Sequence, residues 1–266
     1  MSLLGSCFAG QAADYLNRRG YRASTHPSGE LYNPAILHQD LLHVFDDVPW
    51  PDEIGVVTDD GYAHRFRKRC RASTLDALHR LDREHTAAVR RQLPSADVIL
   101  ILIGTTTEMW FDVDTGLPTN EIPPPPSFHA GNWALDEGDL TQIVAHVRGT
   151  ADVLARVSNA TLVYGVCPIP LNATWSSAPI IAANGRVKAL LRTALDLGLP
   201  ADAVYLDLWD WVQAQSRWWT PMRADGRHFR ASGVDRIMLF AEQRLGSTVQ
   251  QLPLSHRAAS FLKDLR

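Results

Sequence analysis

The sequence predicts a doubly wound α/β sandwich, with a parallel sheet between two layers of helix. Three observations predict it. Asp97-Val98-Ile99-Leu100-Ile101-Leu102-Ile103 is a near-continuous apolar run rich in β-branched residues, as in a strand covered on both faces. Thr161-Leu162-Val163-Tyr164-Gly165-Val166-Cys167 and Ala203-Val204-Tyr205-Leu206-Asp207-Leu208 are shorter runs of the same kind. Helical stretches separate them, so strand and helix alternate along the chain. With no internal repeat and no linker, the 266 residues read as one domain over 1–250 and a C-terminal tail over 251–266.

The order begins with Leu3-Leu4-Gly5-Ser6-Cys7-Phe8-Ala9, a short apolar strand that turns sharply into a helix. Ala12, Ala13 and Leu16 share the buried face of that helix, Asp14, Asn17, Arg18 and Arg19 the open one, and Gly20 closes it. Residues 21–25 form a second short strand, broken by His26-Pro27-Ser28-Gly29. Pro34 suits a first helical position, and Ile36, Leu37, Leu41, Leu42 and Phe45 follow at helical spacing. An irregular insertion over about 47–71 holds a small hairpin around Asp59-Asp60-Gly61. Residues 73–93 are helical, with Ser73 or Thr74 as cap and Leu75, Leu78, Leu81 and Val89 facing inward. The stretch 108–137 after the first long strand has little periodicity and carries a proline run. A loop that long is either functional or disordered. Helices are expected at 138–157, 179–198 and 232–245, the last capped by Ser232.

Composition narrows the function. Lys+Arg 26 against Asp+Glu 29, a net charge of −3, gives no case for nucleic acid. The local exception is Arg65, Arg67, Lys68, Arg69 and Arg71, which read as a solvated face or, secondarily, as a contact for an anionic ligand. Cys7, Cys70 and Cys167 have no metal-like spacing and cannot complete a disulfide framework, so a reducing compartment fits. No run reaches the roughly 20 apolar residues of a membrane span, and no basic segment precedes an apolar one at the start. The expectation is a cytoplasmic protein that binds neither membrane nor nucleic acid and uses no metal or other cofactor. The oligomeric state is not legible.

Ser6 stands where a strand end meets a helix N-terminus, beside amide groups with no intrahelical partner and at the positive end of the helix dipole. A hydroxyl there is a candidate nucleophile, and it needs an imidazole base held by a carboxylate. Of the ten histidines, His38, His43, His79, His85 and His146 lie on helical patterns and read as solvated; His64 lies in the insertion and His256 in the tail. His228 differs. Asp225-Gly226-Arg227-His228 sits between the last strand and the last helix, at the same end of the sheet as Ser6. Asp-x-x-His alone also fits a polar turn before a helix; with Gly-Ser at the first turn of an α/β chain it reads as a base with its orienting acid. Trp209, Trp211, Trp218 and Trp219, with Trp110, Phe111 and Trp133, either pack or form a wall for a ring or acyl chain.

Gly5-Ser6-Cys7-Phe8-Ala9 spells a family signature, and the chain resembles GSCFA-domain proteins, a branch of the SGNH (GDSL-like) hydrolase superfamily. Gly29 with Tyr32-Asn33-Pro34 is similar to that family's Gly-x-x-Tyr-Asn-Pro segment, and Leu102-Ile103-Gly104-Thr105 to its Leu-Gly-Thr strand end. Val166-Cys167-Pro168, the block from Asn184 through Lys188, and Asp225-x-x-His228 with Gly233 resemble its later motifs. The resemblance implies a flavodoxin-like three-layer α/β/α sandwich with a central parallel sheet, the SGNH hydrolase fold. It implies Ser6 as nucleophile with His228 and Asp225 as base and orienter. Oxyanion and substrate contacts would come from the N–H of Ser6 or Cys7, from Gly29 and Asn33, and from Gly104, Thr105 and Asn120. Two departures stand out. Phe229-Arg230 replaces the family's Pro-Ser, and three threonines follow Gly104 where Gly-x-Asn-Asp is usual, which makes Asn120 the candidate donor. Cys7 is expected to tuck toward the sheet as a small apolar filler.

The expected chemistry is cleavage of a small, acetyl-like acyl ester, for instance on a carbohydrate, through a Ser6 acyl-enzyme. The alternatives are an acyltransferase using the same site, or an inactive binding domain that keeps the fold.

Overall fold

The computed structural model describes residues 1–50, 53–104, 109–114, 116, 118–120, 131–136, 139–169, 180–215 and 228–249. Strand β1 (Ser2–Gly5) turns into α1 (Cys7–Arg18), and β2 (Ser24–Thr25) leads to α2 (Pro34–Phe45). A small antiparallel sheet follows, β3 (Gly55–Thr58), β4 (Gly61–His64) and β5 (Arg71–Ala72), and then α3 (Leu75–Gln92). After β6 (Val98–Ile103) comes a second antiparallel sheet, β7 (Met109–Asp112), β8 (Pro118–Thr119) and β9 (Trp133–Asp136). The order closes with α4 (Leu140–Val157), β10 (Thr161–Val166), α5 (Ile180–Gly198), β11 (Val204–Leu206), α6 (Leu208–Ala214) and α7 (Ala231–Val249).

The central sheet runs β2-β1-β6-β10-β11, with every neighbouring pair parallel. Counting only these five strands, the order is 2-1-3-4-5, so the winding reverses between β1 and β6. Open α/β sheets bind ligands in the crevice beyond the carboxyl ends at that reversal. Register aligns Gly5 with Leu102, and Leu102 with Gly165, at this end of the sheet.

All six residues of β6 are buried, and alternate side chains enter opposite layers. Leu4, Ile99, Ile101, Ile103 and Tyr164 join one core with Ile36, Leu37, Leu41, Val147, Leu154 and Leu191 from α2, α4 and α5. Leu3, Leu100, Leu102 and Val163 join the other with Phe8, Ala12 and Leu16 of α1 and Ile237 and Met238 of α7. Each fully buried side chain of this size stabilises the fold by about 1.5–3 kcal/mol. A charge at Ile101 would break the layer.

Several details differ from the periodicity reading. Stretch 108–137 is partly regular, because three short strands pair within it; such strands are too short to show alternation. The insertion is a three-stranded sheet, not a lone hairpin. Thr74 caps α3 by accepting from the Ala77 N–H, but Leu75 is 40% exposed because it precedes the buried stripe. α7 begins at Ala231, so Ser232 lies inside its first turn; the Arg230 carbonyl accepts from Gly233 and Val234. The tail 251–266 lies outside the described residues, as do Thr105 and Asp225. Among the described residues no helix is long and apolar enough to cross a membrane.

Candidate active site

β1 ends at Gly5 with φ of 110°, and a Cβ there would lie 2.1 Å from the Leu102 carbonyl oxygen. Only glycine lets β1 turn this close to β6. Ser6 follows in extended conformation as the N-cap of α1; its N–H donates to Leu102 O at 3.1 Å. Its side chain makes no capping bond. Oγ is fully buried and has no hydrogen-bond partner among the described residues. Leaving a buried hydroxyl unsatisfied costs about 1–3 kcal/mol, and native structures keep such atoms sparingly. Cys7 is half-buried and packs against the core, as expected of a small apolar filler, but Ser6 is wholly buried and not open at the sheet end.

Residues 26–33 run alongside β1. His26 N–H donates to Leu3 O at 3.0 Å and Leu31 N–H to Gly5 O at 2.8 Å. Between them the chain bulges at Ser28-Gly29. Gly29 has φ of 89°, its N–H donates to His26 O at 3.0 Å, and a Cβ would meet Arg69 Cγ at 2.8 Å. The Gly29 amide, expected as an oxyanion donor, is thus engaged within its own turn. Asn33 caps α2, its Oδ1 accepting from the Ile36 N–H at 2.8 Å. Asn120 is buried against the same segment. Its Oδ1 accepts from Tyr32 N–H at 2.9 Å and its Nδ2 donates to Glu30 O at 2.7 Å, which leaves one amide hydrogen beyond that bond.

His228 is half-buried just before α7. Its neighbour Phe229 fills the core edge-on to Phe8 at 6.1 Å between ring centroids, and Gln11 Nε2 donates to Phe229 O at 3.1 Å. The 228–229 segment is therefore docked on the first turns of α1, the helix that Ser6 caps. The Ser6 hydroxyl and the His228 ring are not hydrogen-bonded to each other in this structure. Gly104 follows β6, and its carbonyl accepts from Lys188 Nζ at 2.7 Å; Cys167 O accepts from the same ammonium at 2.9 Å. Lys188 is buried under Trp209, 5.1 Å from the ring centroid, and ties the ends of β6 and β10 together. Trp211 stacks on Phe240 at 4.6 Å, and Arg65 lies over Trp133 at 5.6 Å. Trp218 and Trp219 lie outside the described residues.

A buried polar array supports the Ser28-Gly29 turn. His26 Nδ1 accepts from Ser28 N–H at 3.2 Å, so Nε2 carries the proton and faces Asp40 Oδ2 at 3.1 Å. Asp40 accepts from Arg67 Nε at 2.6 Å, and Arg67 reaches Asp82 Oδ1 at 2.8 Å and Thr86 at 2.8 Å. His64, His43 and Trp50 crowd the same Asp82 carboxylate. Burial alone would raise both carboxyl pKa values. Arg67 and His26 override it at Asp40, and His43, His64 and Arg67 at Asp82, so both are held far below the usual range. Arg67, read as part of a solvated face, is wholly buried. His43 stacks on Trp50, His85 lies 3.1 Å from Cys70 Sγ, and His38 lies 3.1 Å from His146, so these four are not simply solvated. Burial pushes the Cys70 thiol up to about 12. The one sequence signal for the array was a carboxylate inside an apolar stripe: Asp40 among Ile36, Leu37, Leu41 and Val44, and Asp82 between Leu78 and Val89.

No curated protein matches the chain. The model of the GSCFA family matches residues 1–239, a span that takes in the Gly5-Ser6 turn, the Ser28–Asn33 segment, Asn120, Lys188 and His228. The chain belongs to the GSCFA family.

Proposed function

We propose that the protein is a serine acyl-ester hydrolase of the SGNH type, with Ser6 as nucleophile. The observation that supports this best is the buried Ser6 hydroxyl without a hydrogen bond, at the sheet's switch point, with the His228 segment docked on the same helix. His228 takes the Ser6 proton as Oγ attacks the ester carbonyl. The oxyanion is held by the remaining Asn120 amide hydrogen, at the positive end of α1. The C–O bond to the alcohol breaks, and His228 returns the proton to the leaving oxygen. Water, deprotonated by His228, then cleaves the acyl-enzyme. Asp225 orients the imidazole, a role carried over from the Asp-x-x-His resemblance. That Cys7, Cys70 and Cys167 form no disulfide among the described residues fits a reducing, cytoplasmic setting.

A second reading, acyl transfer, draws on the complete burial of Ser6. An alcohol or amine acceptor competes with water best in a closed pocket. Burst kinetics with p-nitrophenyl acetate test the common step. Asp225→Asn is expected to slow acylation by about 10⁴-fold with the fold intact, and His228→Gln comparably. An unchanged acylation rate in either variant removes that residue from the mechanism. A wild-type protein that never acylates favours the binding-domain alternative.

A further inference from the structure

The basic run at residues 65–71 divides in space. Arg67 is anchored in the core by Asp40 and Asp82, and Arg65 turns to Glu53 O and Trp133. Fixing Arg67 sets the turn that follows: Cys70 N–H donates to Arg67 O at 3.0 Å and Arg69 N–H to Ser28 O at 3.0 Å. That turn delivers Lys68 and Arg69 onto the segment beside Gly5. The Arg69 stem covers Gly29, and its exposed guanidinium has no ion pair among the described residues. Lys68 Nζ lies 2.5 Å from Tyr32 Oη and 3.8 Å from the Glu30 carboxylate, with its side chain one-third exposed (33%). Lys68 and Arg69 thus lie along the segment that pairs with Gly5, just before the N-terminus of α1, with Glu30 beside Lys68.

We infer that the ester taken by this site carries a negative charge, carboxylate or phosphate, and that Lys68 and Arg69 recognise it. The inference rests on the Ser6 reading for its reaction but not for its binding. Arg69 offers a planar fork and Lys68 a point charge, a pairing suited to a multi-oxygen anion. Glu30 limits the attraction and excludes a second carboxylate on the substrate near Tyr32.

The test compares kcat/KM for matched esters. Mono-(4-nitrophenyl) adipate against 4-nitrophenyl hexanoate places the charge on the acyl side; 4-acetoxybenzoate against its methyl ester places it on the alcohol side. In at least one pair the anionic-to-neutral ratio should fall about five- to tenfold in Lys68→Met and again in Arg69→Met, and rise in Glu30→Gln. Added salt should shrink it. Ratios that stay the same in all three variants for both pairs overturn the inference. If no ester acylates Ser6, the hydrolase reading fails separately. Calorimetric binding of adipate and of 4-hydroxybenzoate then decides: at least fivefold weakening of either in the Lys68→Met/Arg69→Met double variant supports the anion site, and equal binding refutes it.

Discussion

At the scale of the residue, the site depends on Gly5. The contact that orients Ser6 is a backbone approach to Leu102 that leaves no room for a methyl group, at a φ that side chains rarely adopt. Gly5→Ala should therefore destabilise the fold by about 3 kcal/mol or more, strain and overpacking together, read as a lowered urea midpoint. A midpoint equal to wild type would mean that β1 and β6 can separate at no cost, and that Ser6 is not held where the contact places it. Adjacent residues also mark a limit of sequence reading. Gly-Ser before a helix located the turn, but which of Ser6 and Cys7 faces inward depends on where the first helical turn begins, and that is set by tertiary packing.

Among the elements, the insertion is tied to α2 and α3 by charge in addition to apolar contact. Arg67 spans Asp40 on α2 and Asp82 on α3, and His26 links Asp40 to the Ser28-Gly29 turn. Removing one member of a buried ion pair costs about 3–5 kcal/mol, since the partner stays buried. Asp40→Asn should lose stability on that scale near pH 7. The pH dependence has a definite sign. With its folded pKa depressed, Asp40 contributes fully above the ordinary carboxylate value of about 3.9, and the contribution fades as pH falls below it. The gap between wild type and Asp40→Asn in urea denaturation should thus narrow from pH 5 toward pH 3, while Asp82 keeps the variant's own curve from going flat. A gap constant with pH would show that Asp40 titrates normally.

Across the whole molecule, the parallel sheet was legible because β6 and β10 announce themselves as buried runs and helices separate them. The two small antiparallel sheets were less so, since two- to four-residue strands carry too few residues for alternation. The polar array was hidden for a different reason: Asp40, Arg67 and Asp82 lie 27 and 15 residues apart, and periodicity reports faces, never partners. Burial of Lys188 was equally silent, because its value lies in joining two strand ends. The Gly5-Ser6 turn was legible in the sequence, and the winding that brings α7 against α1 docks Phe229, next to His228, on the helix that Ser6 caps. The most direct measurement of the central claim is peptide mass mapping after incubation with p-nitrophenyl acetate, on wild type, Ser6→Ala and Cys7→Ser. The account predicts one acetyl group on Ser6, kept in Cys7→Ser and absent from Ser6→Ala. An acetyl group mapped to Cys7, or an adduct that persists in Ser6→Ala, would contradict it.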